Sequence, residues 1–171
     1  MLTVCDKLQI KLDETLFKAQ PQNKNTTPFH WYSEFYSIMY KDDGSGGFDV
    51  VIGNPPYVEY SKIKNYKLYN YNTIKCGNLY AYVMEKSLYL ANSKSYIGFI
   101  VPISLSATPR MFLLRNQIQD YSNNIWISNF ADRPATIFNG VHQKVSICLF
   151  NKSIDKNYKL FTQLFHFKII M

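Results

Sequence analysis

The stretch FDVVIGNPPYV, from Phe48 to Val58, constrains this chain more than any other part of it. An apolar run, Phe48 to Ile52, enters Gly53 and then Asn54-Pro55-Pro56-Tyr57. Apolar residues on both faces of a strand suit the middle of a parallel sheet, and so an α/β fold. Two consecutive prolines fix two φ angles and remove two backbone donors. Each also pushes the residue before it out of the α region. The resulting stiff turn holds the Asn54 carboxamide and a free backbone carbonyl at the carboxyl end of a strand, where open α/β sheets bind ligands. Tyr57 adds an aromatic face beside these acceptors. The set suits a flat ring bearing an exocyclic amine, whose hydrogens two carbonyl oxygens accept while the tyrosine stacks on the ring. The same residues also fit an ordinary strand-ending turn.

The chain has 171 residues and is expected to form at most one domain. Its apolar share of 47% is enough for a core. The longest apolar runs, such as Ile97 to Val101, are too short to span a bilayer, and no signal region opens the chain. A cytoplasmic protein with no membrane partner is expected. Cys5, Cys76 and Cys148 are scattered, and no pair has metal-ligand spacing, so buried or idle thiols and no metal site are expected. The net charge of +7 favours a nucleic-acid partner, but an AT-rich coding bias would also enrich the lysines.

Upstream, Val4, Leu8, Leu12 and Leu16 have helical spacing over residues 2–19. Residues 20–28 read as a loop. The segment PFHWYSEFYSIMY, residues 28–40, reads as a core-covering stretch that includes His30 and Trp31. Residues 42–47 read as a flexible turn. Past Tyr57, residues 58–75 alternate tyrosine with lysine, including Tyr60, Lys62, Lys64, Tyr66, Lys67, Tyr69 and Tyr71. Such a loop suits phosphate contacts and base stacking. A solvated loop of biased composition fits it equally.

Residues 77–92 read as a helix, apolar nearly all round and hence buried. Residues 95–105 read as a buried strand closed by Pro102. Thr108 is a candidate N-cap with Pro109 at the first helical position. Met111, Leu114, Ile118 and Tyr121 mark one helical face, with Arg115 in a structural role. Residues 125–130 and 144–150 read as two further strands, and His142 as a polar loop residue. Residues 150–171 read as a linker and the start of another element.

The Asn54–Tyr57 turn resembles the catalytic motif of amino-methyltransferases that use S-adenosylmethionine. Within them it resembles the adenine-specific DNA methyltransferases of restriction–modification systems, of the gamma class. The aromatic lead-in, the Asn78-Leu79-Tyr80 helix start, the strand over 95–105, the Leu114-Arg115 pair and the loop ADRPATIFNGVHQ are similar to successive segments of that family. The resemblance implies a partial Rossmann-like methyltransferase fold. The catalytic half of its sheet would end in an antiparallel strand pair. It implies a target adenine flipped out of double-stranded DNA, with Asn54 and the Pro55 carbonyl accepting hydrogen bonds from its amine, Pro56 stiffening the turn and Tyr57 stacking on the base. Phe138 would pack on the opposite face of the adenine; a core phenylalanine is the alternative. Lys62, Lys64 and Lys67 would face the DNA.

The resemblance divides the chain into an N-terminal helix, loop and aromatic lead-in (1–47), the catalytic half (48–150), and a linker or start of a target-recognition region (151–171). The cofactor half is not recognised. S-adenosylmethionine would need a glycine-rich turn from a strand into a helix, and none lies upstream of Phe48. Without the strand that precedes it in the family, residues 48–52 would form an open apolar edge. A truncated product, a decayed gene, or a split enzyme completed by a second chain carrying the cofactor-binding half is expected, and the chain alone is expected not to methylate DNA. Alternatives are a methyltransferase fragment acting on protein glutamine or RNA, a non-catalytic nucleic-acid-binding remnant, and a subunit that only completes a partner's fold.

Overall fold

The computed structural model describes residues 29–64, 66–131, 142–153 and 159–165. The helix expected over 2–19, the loop over 20–28, Cys5 and the candidate Phe138 lie outside the described residues. The elements are α1 (Trp31–Glu34), α2 (Tyr36–Met39), β1 (Phe48–Gly53), α3 (Leu79–Leu90), β2 (Ala91–Pro102), α4 (Ser104–Ala107), α5 (Phe112–Asp120), β3 (Ser122–Phe130), β4 (Val145–Lys152) and β5 (Lys159–Phe165). Single 3-10 turns lie at Tyr60–Lys62, Ile74–Cys76 and Pro109–Met111.

The five strands form one mixed sheet in the order β1-β2-β4-β3-β5. β1 runs parallel to β2, and β5 parallel to β3. β4 is antiparallel to both of its neighbours, as the strand–loop–returning strand reading expects. Helices α3 and α5 cover one face. There Tyr80, Met84 and Leu88 of α3 and Leu114 and Ile118 of α5 pack on Ile97, Phe99, Val101, Ile125, Ile127, Cys148 and Phe150. Cys76 and Cys148 are buried free thiols; burial pushes Cys148 up to about 12.

The second face is bare among the described residues. Residues in register across it form one row: Ile52, Gly98, Leu149, Trp126 and Phe161. Ile52 is 78% exposed and Val50 59%. The Trp126 and Phe161 rings stack at 5.9 Å. β1 is thus an edge strand. Its apolar residues do not place it in the middle of the sheet described here, but they match the open apolar edge also expected of it.

Several boundaries differ from the sequence reading. Helix α3 ends at Leu90 rather than at Asn92, and β2 begins at once at Ala91. Pairing of Phe48 with Ala91 draws that residue into the sheet. Gly47, at φ +119°, fits against the junction: a Cβ there would lie 2.7 Å from the Asn92 nitrogen. The turn over 42–47 is therefore packed, not free. Thr108 does not cap with its side chain; its hydroxyl donates to the Ser104 carbonyl (2.9 Å). Tyr121 leaves the buried face and is 42% exposed. Trp31 and Phe35 meet Phe48 edge-on, so the aromatic lead-in packs beside the edge strand, with only Met39 of its helices buried. Arg115 has the structural role expected, donating to the carbonyls of Leu105 and Thr108, each at 2.8 Å. Beyond β4, β5 joins the same sheet.

Candidate active site

At the carboxyl end of β1 the chain leaves the sheet through Asn54, exposed, and Pro55, buried. Among the described residues none donates a hydrogen bond to the Asn54 carboxamide or the Pro55 carbonyl. Tyr57 is half-buried, and its hydroxyl donates to the Ile100 carbonyl on β2 (2.9 Å). Burial raises the phenol pKa, so the group stays a donor. The ring is therefore fixed at one edge by the neighbouring strand, while Pro56 before it stays exposed.

Past Tyr57 the chain pairs with the start of α3. The Leu79 amide donates to the Val58 carbonyl (2.9 Å) and the Tyr60 amide to the Gly77 carbonyl (2.8 Å). Glu59 and Asn78 form the bridge between the two segments. Asn78 faces both ways: its Oδ1 accepts from the Tyr80 amide (3.3 Å), capping α3, and its Nδ2 donates to Glu59 Oε1 (3.1 Å). Gly77, at φ +64°, makes the reversal just before it. Arg110 closes the group with an ion pair to the same Glu59 oxygen (2.6 Å). The Arg110 hydrogen bond holds the Glu59 carboxyl below its ordinary value. A pair this exposed adds little stability; what it does is hold the exit of the turn against α3.

The tyrosine–lysine loop returns over α3 and divides into two sets. Tyr60 and Tyr71 face inward, each ring 5.5 Å from that of Tyr82. Lys62, Lys64, Tyr66, Lys67 and Tyr69 are exposed. A groove of about 680 Å³ runs beside β1 and Asn54, lined among others by Trp31, Pro55, Tyr66, Tyr82 and Lys86. Its lining is mostly apolar and aromatic, with Asn54, Lys86 and Ser87 among its polar residues. Among the described residues no cluster could hold a metal, and no helix is long and apolar enough to cross a membrane.

Asn54, Pro55, Pro56 and Tyr57 thus lie together at one strand end, with Lys62, Lys64 and Lys67 on the loop beyond, and His142 is exposed in a loop. The sequence reading missed Glu59, Arg110 and Glu85. Glu85 was open to detection: a lone carboxylate inside an apolar helix must be paired if that helix is buried.

The chain folds as an open mixed α/β sheet with a polar turn at the carboxyl end of β1. Solved structures share the fold: DrdV in a complex with DNA has a TM-score of 0.57 at 15% identity, covering 72% of this chain and 15% of that one. A nuclease-deletion mutant of the Type ISP restriction-modification enzyme LlaGI, in complex with a DNA substrate mimic, has a TM-score of 0.57 at 15% identity and covers 90% of this chain and 17% of its own. In sequence, residues 4–138 match the model of the Eco57I restriction-modification methylases, and the chain belongs to that family. The match takes in the stretch before Phe48. The chain is also 26% identical over 133 residues to a Methanocaldococcus jannaschii protein named as a type II restriction enzyme and methyltransferase. That alignment covers 78% of this chain and 11% of the relative, so the chain spans about a tenth of the relative's length.

Proposed function

We propose that this chain is the acceptor-binding part of an adenine-specific DNA methyltransferase of the restriction–modification type, methylating the 6-amino group of an adenine flipped from the duplex. The observation that carries the reading is the placement of Asn54 and the Pro55 carbonyl, which accept no hydrogen bond from the described residues, at the end of β1 beside an anchored Tyr57. Two acceptors on one exocyclic amine draw its lone pair out of conjugation and aim it along one direction. Tyr57 holds the ring plane by stacking. The amine needs no strong base, since it loses its proton readily once methylated. Preorganised groups of this kind act electrostatically. Lys62, Lys64 and Lys67 contact phosphates.

S-adenosylmethionine supplies the methyl group in this reading. In the same reading a glycine-rich site on a second chain or segment holds it. The chain alone is then expected to transfer no methyl group.

The test is Asn54→Ala in an enzyme reconstituted with that cofactor-binding half. Formation of N6-methyladenine should fall by about 100-fold or more, with duplex affinity nearly intact. Undiminished transfer would refute the role of Asn54. Methylation of RNA or of a glutamine side chain in place of adenine would overturn the substrate.

A further inference from the structure

Glu85 is fully buried on a helix whose other inward residues are almost all apolar. Burying a carboxylate without partners is costly, and removing the partners of a buried charge costs more than the bonds themselves are worth. The partners here come mainly from the tyrosine–lysine loop rather than from the helix. Oε1 accepts from the Asn72 amide (2.9 Å), and Oε2 from the Thr73 amide (2.9 Å) and the Thr73 hydroxyl (2.5 Å). The Tyr89 hydroxyl, one turn along α3, donates to Oε1 at 3.4 Å. The loop must therefore close for this charge to be satisfied.

The loop is tied at other points too. The Leu68 amide donates to the Tyr60 hydroxyl (2.7 Å), and the Tyr82 hydroxyl to the Ile74 carbonyl (3.0 Å). Just before the Glu85 contacts, Asn70 turns the chain at φ +61°. Lys62, Lys64, Tyr66, Lys67 and Tyr69 are exposed between or beside these ties.

We propose that Glu85 is a positioning residue for DNA: its carboxylate clasps the returning end of this loop, so that the exposed lysines and tyrosines meet the duplex from a fixed frame. The proposal rests on the reading of the loop as a DNA contact. Ordering before binding lowers the entropy that binding would otherwise cost.

The test uses the full chain with Glu85→Gln, which removes the charge and turns an NH2 toward one of the two loop amides. Far-UV circular dichroism establishes that the variant is folded. Limited trypsin digestion should cut after Lys62, Lys64 or Lys67 about tenfold faster than in the wild type, the size expected for lost hydrogen bonds to a charged group. Affinity for a fluorescein-labelled duplex, read by anisotropy, should fall about tenfold on the same grounds, with a shallower salt dependence as phosphate contacts are lost. In a Lys62→Ala, Lys64→Ala, Lys67→Ala background, Glu85→Gln should have a smaller effect on affinity. If Glu85→Gln does not fold, Thr73→Val removes only the hydroxyl contact and should shift both readings the same way by less. Unchanged digestion, or an equal loss of affinity in the lysine-free background, overturns the proposal. A wild-type chain that binds no duplex overturns the DNA reading of the loop, whereas duplex binding that Glu85→Gln leaves unchanged overturns the clasp alone.

Discussion

Tyr57 combines two tasks that mutation can separate. Its hydroxyl bonds the Ile100 carbonyl, while its ring is offered to the acceptor. Tyr57→Phe keeps the ring and should cost about 1 kcal/mol of stability, the ordinary worth of a hydrogen bond, with a modest loss of methyl transfer in the reconstituted enzyme. Tyr57→Ala should lose transfer almost entirely. Equal activities for the two variants would show that stacking plays no part. Glu85 predicts a pH effect. Burial pushes its carboxyl up, but the hydrogen bonds from Thr73 and Asn72 outweigh this and hold it below 4.5. A carboxyl whose folded pKa is depressed contributes stability that is fully present above the unfolded value and lost as pH falls through the folded one. The melting temperature should therefore fall as pH drops below about 4.5, and thermal scans of Glu85→Gln should show a flatter dependence. The Asn54–Tyr57 turn was legible in the sequence because its parts are adjacent. The Glu59–Arg110 pair was not, because its partners are 51 residues apart and only the fold brings them together.

Helix α3 is held at both ends by groups outside its own turns. Asn78 caps its first turn, and Lys152 of β4 reaches its last carbonyls, donating to Leu88 (2.6 Å) and Ala91 (2.7 Å). A cation at a helix C-terminus opposes the partial negative charge there. Lys152→Met should lower stability by about 1–2 kcal/mol, measured by urea denaturation. Asn78→Ala should cost about 1 kcal/mol and also release Glu59, so its methyl-transfer defect should exceed that of Lys152→Met. Most elements here were legible from period and composition: the apolar helix, the strand closed by Pro102, and the antiparallel pair. The α3–β2 junction was not. Residues 91–94 carry no strand pattern of their own, and Ala91 is recruited by its pairing with Phe48. The inward and outward tyrosines of the loop were also indistinguishable in sequence, since their division depends on where Tyr82 lies.

At the scale of the molecule, one sheet face carries a core and the other carries apolar side chains without cover among the described residues. A contiguous exposed apolar patch beside an unpaired strand edge favours association. The purified chain should sediment as a mixture of oligomers, and Ile52→Lys, which places a charge on both patch and edge, should shift it toward monomer in analytical ultracentrifugation. A wild-type chain that is already monomeric would refute this.

The strand order has a further consequence. β1 and β5 lie at opposite ends of the described sheet, so their outer borders, unpaired among the described residues, are four strand spacings apart, roughly 19 Å. Whatever zips onto one border cannot reach the other. Growth of the sheet at β1 would build beside the Asn54 turn and alter its chemistry, while growth at β5 would enlarge the protein and leave that turn untouched.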